Sequence, residues 1–312
     1  MIAHVLRLYP AAYRSAHGAE IAATYRELTA GEPLGSRLRE GAGLAAHALR
    51  LRLGLGPASR AARVLALAYP FALAVSAAVC GLHLLRWYAA LVSSPTPLGA
   101  QLRVDLSGAW GALLVSSLIG CAGAATALTG RWRAGAPCTV AGLLSFAVAA
   151  VVSGPAFGDP VVTPTALALT AAVVLACPPD RRQEAIAGGR AGTAGAVIAL
   201  VVVPRAAIDA HAVPWVSTDY GCWPVLVIAA TGVALTWRSG SRGGLELGVM
   251  ALVSPPLLAH VYTTARGETA AVLWLAAALA TAALIAPSAG RLGRLGHPGR
   301  PGRPPRPSTR RP

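Results

Sequence analysis

Lysine is absent from this chain and acidic residues are scarce: 12 Asp and Glu stand against 27 arginines in 312 residues. Charged residues make up 12% of the sequence, about half of the ~25% that soluble domains carry. Residues of the AVILMFWYC set reach 55% and mean hydropathy is +0.57. That balance excludes one compact water-soluble fold. The missing lysine has a plain cause, because Arg, Ala, Gly and Pro, all abundant here, share GC-rich codons. The arginine count is therefore no argument for a phosphate or nucleic-acid partner, although guanidinium suits both.

The patterns on which enzyme chemistry rests are missing as well. There is no GxGxxG or Walker motif, no HExxH, no GxSxG and no Asp or Glu pair inside an apolar stretch. Cys80, Cys121, Cys138, Cys177 and Cys222 include no CxxC and no zinc-ligand spacing. An enzyme is not expected, and neither a cofactor nor a metal centre is called for. The cysteines read as small hydrophobes, with a Cys80–Cys222 disulfide conceivable from placement alone. Arg7, Arg14, His17 and Glu20 interrupt the first 20 residues, so no cleavable signal peptide is expected.

What is present is apolar length. Crossing ~30 Å of hydrocarbon takes about 20 apolar helical residues, and backbone groups in lipid must be satisfied within the segment. Eight stretches qualify: Val64–Leu85, Leu106–Leu128, Ala136–Phe157, Val161–Cys177, Gly192–Val213, Tyr220–Trp237, Leu245–Tyr262 and Thr269–Ala286. The third and fourth are separated by Gly158-Asp159-Pro160, read as a tight turn. The arginines then orient the chain. One side holds the nine before Val64, then Arg131, Arg133, Arg181, Arg182, Arg190, Arg238 and Arg242, and the seven after Ala286, 23 in all. The other side holds only Arg86, Arg103, Arg205 and Arg266. Positive charge stays cytoplasmic. The expected fold is all-α, a polytopic transmembrane bundle of about eight helices in a bacterial plasma membrane with both termini cytoplasmic.

Three parts follow: a cytoplasmic helical module over 1–63, the bundle over 64–286, and an Arg/Pro/Gly tail over 287–312. In the module, Tyr13, His17, Ile21, Tyr25 and Leu28 recur at helical spacing. A third helix carries Leu38, Ala42, Ala45, Leu49 and Leu53 on one face, with Arg39, Glu40, His47 and Arg50 elsewhere. It reads either as an amphipathic helix on anionic inner-leaflet lipid or as part of a three-helix cap packed on itself. No helix-turn-helix signature is evident, so no nucleic-acid partner is expected. The tail cannot bury a core and is expected to be disordered, solvated beside anionic lipid.

The run Leu8-Tyr9-Pro10, then Tyr13-Arg14, His17-Gly18 and Glu20 resembles the N-terminal prefix of actinobacterial multi-pass membrane proteins and, more loosely, that of FtsX-type permeases. His17 stands where an aromatic is usual. The resemblance covers about 25 residues and implies an accessory or regulatory module that offers a surface to a protein partner through residues 1–63. It carries no catalytic residue, and the large extracytoplasmic domain of such permeases has no counterpart here.

Ionisable groups in spans are functional candidates. His83, His211 and His260 fall at the outer ends of the first, fifth and seventh spans, with Cys80 and His83 at i, i+3. A metal or proton site is one reading, and histidines reaching interfacial water is the other. Pro204-Arg205 interrupts the fifth span, with Asp209 and His211 beyond. Arg205 and Asp209 pair at i, i+4 if the helix continues, and a broken helix with polar groups at depth marks transporter sites. The favoured reading ends the span near Pro204 and starts an outer loop there. Gly120 with Gly123, and Gly244 with Gly248, permit close helix packing. The function these features suggest is an accessory component of a transport or envelope system. The alternative is a transporter with a polar site of Arg205, Asp209, His83 and His260 in the outer half.

Overall fold

In a computed structural model the described residues are 2–56, 59–154, 159–186, 190–210, 223–239 and 244–264. Of these, 87% are helical and none is in a strand. The prefix holds α1 (Ile2–Leu6), α2 (Ala11–Thr29) and α3 (Leu34–Arg52). The bundle follows with α4 (Arg60–Ser93), α5 (Leu98–Asp105), α6 (Gly108–Leu128), α7 (Trp132–Ser153) and α8 (Val162–Ala176). It continues with α9 (Pro179–Ile186), α10 (Arg190–Asp209), α11 (Trp223–Ser239), α12 (Leu245–Val253) and α13 (Pro255–Thr264).

Among the described residues four helices, α4, α6, α7 and α10, are long and apolar enough to cross a membrane, and α12 with α13 makes a fifth if the bent pair is one span. The apolar α8 is shorter, at 15 residues. Large aliphatics such as Leu118, Val148, Val152 and Leu200 are exposed around the bundle, more apolar surface than a soluble monomer shows. The chain is thus a helical protein with several helices suited to a membrane.

Several expected boundaries change. α4 starts earlier and runs on to Ser93, beyond Leu85, its start capped by the Ser59 hydroxyl accepting from the Ala62 amide. α7 stops at Ser153, not Phe157, where Gly154 adopts φ 66 and Pro155 follows. The connection to α8 is therefore longer than Gly158-Asp159-Pro160, and Asp159 Oδ1 accepts from the Val161 and Val162 amides at its end. The seventh stretch is two helices, bent by 51°. The eighth stretch and the tail lie outside the described residues.

α4 is the hub, packing on α6, α8, α9, α10, α12 and α13. Its best apolar window is 72% buried against 17% for α10, so α10 lies at the periphery. The tightest contact is the antiparallel pair α6–α7. Cβ atoms at Gly120, Gly123, Gly135 or Gly142 would all meet atoms closer than 3.0 Å, and at the last three these are backbone atoms of the partner helix. Gly244 and Gly248 have no such role: Gly244 takes φ +64 and Gly248 faces open space.

The prefix helices pack on one another. Tyr9 is 1% exposed, donates its hydroxyl to the Leu44 carbonyl at 3.2 Å and stacks on Tyr13 at 5.5 Å. His17 lies tilted against Tyr13 in turn, with ring centroids 4.8 Å apart. Tyr25 donates to the Arg37 carbonyl and Arg52 to that of Arg7. α3 packs through Ala48 and half-buried Leu44, while Leu38, Ala42, Leu49 and Leu53 stay exposed. The helix has two apolar faces, so a self-packed cap still leaves one free.

Candidate functional site

The end of the bundle away from the prefix gathers the polar side chains. On α4, Val79, His83 and Arg86 follow at helical spacing and line a cavity of about 70 Å³ with Phe146 of α7, Thr163 of α8 and His260 of α13. The break before α13 turns His260 toward α4. Pro255 and Pro256 supply no amide hydrogen and cannot continue α12, but they suit the first turn of a new helix. The Ser254 hydroxyl donates to the Ala251 carbonyl at 2.9 Å, replacing the bond that Pro255 cannot make.

His83 meets Phe146 edge-on at 5.1 Å. Its Nε2 is sealed from solvent and has no hydrogen-bond partner among the described residues. Buried polar atoms are rarely left unpaired, so this nitrogen points to something the cavity would hold. Arg86 and His260 line the same cavity.

α10 continues through Pro204 and Arg205 to Asp209, against the expectation that the span ends at Pro204. The reason is a distant donor. Pro204 has no amide hydrogen for the Leu200 carbonyl, and the Trp223 indole N–H of α11 donates there instead, at 2.6 Å. Continuation puts Arg205 and Asp209 one turn apart. They pair through both carboxylate oxygens, Nε to Oδ2 at 3.0 Å and Nη2 to Oδ1 at 2.8 Å, the planar geometry that guanidinium favours.

The other described carboxylates of this end are engaged too. Asp105 accepts from the Trp87 indole at 2.9 Å and from Gln101, and Asp159 caps α8. Among the described residues no carboxylate lines the cavity, and the ionisable groups that do are Arg86, His83 and His260. Such a site favours an anion. A water needs ~10–15 Å³ on this measure of volume, so the cavity has room for a few waters or a small ion.

Of the five residues singled out from sequence, His83 and His260 share the cavity, while Arg205 is not among the residues that line it and pairs with Asp209 instead. His211 lies outside the described residues, as does Cys222 of the conceivable disulfide. Cys80 shares a helix with His83 but not the site: it is buried over Gly120. Among the described residues no three His, Cys, Asp or Glu side chains gather as metal ligands. Sequence reasoning passed over Arg86, counted only as an outer charge, though its i, i+3 spacing from His83 was visible. No protein-family model, curated protein or solved structure matches the chain.

Proposed function

We propose that this chain is a non-enzymatic transporter of the bacterial plasma membrane, crossing it eight times with both termini cytoplasmic and binding a small anion in the outward half. The observation that carries this reading is the convergence of Arg86, His83 and His260 on one cavity that, among the described residues, no carboxylate lines. The broken α12–α13 pair beside it is the device by which transporters expose polar groups at depth. The 23-to-four division of arginines supports the orientation.

Two measurements test it. A fluorescent protein fused after Pro312 glows, and alkaline phosphatase fused after Ser94 is active; the reverse pattern overturns the orientation. In proteoliposomes the full chain takes up chloride, nitrate or acetate saturably. Arg86→Gln weakens the preferred anion about tenfold to a hundredfold, the range for a lost hydrogen bond to a charged group. Exposed Arg103 at the same end serves as the control, and Arg103→Gln leaves uptake unchanged. No uptake above empty vesicles, or an Arg86→Gln variant equal to wild type, refutes the reading.

A second reading has its own observation. The stripe of Tyr13, His17, Ile21, Tyr25 and Leu28 lines a groove of about 270 Å³ between α2 and α3, a surface that an accessory protein would offer a partner. Anion binding without flux, together with a partner captured through residues 1–63, favours this accessory role.

A further inference from the structure

The opposite end of the bundle holds a second cationic cleft that neither reading uses. It has a volume of about 210 Å³ and lies between α4, α9 and α10, with Arg63, Arg181 and Arg190 on its walls and Ala66 and Leu67 beneath. Among the described residues Glu184 is the one carboxylate lining it, and Glu184 makes no ion pair there.

The arginines sit where helix electrostatics opposes them. Arg63 lies in the first turn of α4 and Arg190 is the first residue of α10. The two helices run parallel, since Arg63 and Arg190 meet at this end and Gly81 and Val202 approach further along. Both N-termini therefore direct their positive dipole ends here, where anions are stabilised and cations are not. Arg63 and Arg190 at two helix starts, with Glu184 as the carboxylate lining the cleft among the described residues, concentrate positive charge that a bound anion would relieve.

The cleft is also held in shape. Arg182, next to Arg181, turns away from it: its Nε donates to the Cys177 carbonyl at 3.1 Å. Its guanidinium lies over the Tyr69 and Trp132 rings at 5.8 and 5.6 Å. That pins α9 against α4 and leaves Arg181 and Glu184 on the cleft side. The volume exceeds what one inorganic phosphate fills, the floor is apolar and the α10 wall belongs to the peripheral helix. We propose that this cleft binds a phosphate group, carried by an anionic lipid headgroup or by a free phosphate, through Arg63, Arg181 and Arg190. Basic pockets between spans on the cytoplasmic side take lipid headgroups in this way. The site stands on its own residues, whether or not the far-end cavity carries a solute.

The test titrates the purified full chain in neutral detergent with short-chain phosphatidylglycerol, inorganic phosphate or short-chain phosphatidylcholine, reading bound ligand by native mass spectrometry and the thermal midpoint. Phosphatidylglycerol or phosphate raises the midpoint and phosphatidylcholine does not. The Arg63→Gln/Arg190→Gln pair weakens that binding by roughly 30-fold, at about fivefold per arginine. The exposed pair Arg131→Gln/Arg238→Gln removes equal charge at the same end and leaves binding within twofold. Ala66→Leu, which fills the floor and keeps every charge, also weakens it, so the result does not hang on one variant's folding. A response to phosphatidylglycerol alone names the lipid as the source; a response to inorganic phosphate alone names the free anion. Absence of both responses, or equal losses in the two arginine pairs, overturns the site.

Discussion

Replacing Gly142 with leucine removes the packed form of the bundle. α6 and α7 meet backbone to backbone, and a Cβ at Gly142 would already press on the Gly120 backbone and stand 2.8 Å from the Ser116 carbonyl oxygen. Ordinary contact begins at 3.4 Å, and neither neighbour is the yielding tip of a side chain. The helices must separate, losing the dispersion and weak C–H···O contacts that hold apolar helices together where lipid removes the hydrophobic drive. Overpacking a well-filled core costs ~1–3 kcal/mol, and a clash against backbone belongs at or above the top of that range.

The variant should therefore lose most monodisperse protein in detergent, with the remainder melting well below wild type. Gly142→Ala falls between them. Gly195→Leu is the matched control: a Cβ there meets nothing within 4 Å, so a larger side chain is accommodated and the midpoint is unchanged. A Gly142→Leu protein as stable as wild type would sink this account of α6–α7. The effect reaches the candidate site, because Phe146, one turn beyond Gly142, is the ring against which His83 rests.

How much of this was legible beforehand depends on the range of the interaction. Apolar length located the four long helices α4, α6, α7 and α10, since lipid leaves helices as the solution for long apolar runs. Gly120 and Gly123 stood out as a pair of small residues, but their partners Gly135 and Gly142 follow from the antiparallel register, which no local pattern specifies. Pro204 read as an end because the local rule is sound: the Leu200 carbonyl does lose its donor. What overrode the rule was Trp223, a side chain from another helix. Arg86 was hidden differently, as one charge in a topology count, and became part of a site only when α13 carried His260 against it.

Tyr9→Ala unfolds the prefix while leaving the bundle intact. The three prefix helices span about 50 residues, and a core of that size seldom supplies more than ~3–5 kcal/mol. Truncating a buried aromatic costs ~3–5 kcal/mol, enough to cancel the whole. Tyr9 is 1% exposed and stacks on Tyr13, with His47 tilted against it at 5.8 Å, so its ring, in the turn after α1, ties α2 to α3. Tyr9→Phe keeps that ring and loses the bond to the Leu44 carbonyl, worth about 1 kcal/mol, and should leave the prefix folded.

Trypsin reads the difference in the full chain, because Arg14, Arg26, Arg37 and Arg50 fall within these helices. Wild type and Tyr9→Phe resist cleavage there, Tyr9→Ala is cut rapidly, and equal resistance in all three refutes the assignment. Alkaline pH supplies an independent readout. Burial raises the Tyr9 phenol above its usual 10.0, Tyr13 adds to this and Arg50 opposes it. The unfolded prefix therefore ionises first. The stability due to Tyr9 is complete below pH 10 and falls as pH climbs from there through the raised value. Tyr9→Phe has no phenol at this position, so its protection should decline less than that of wild type over the same range.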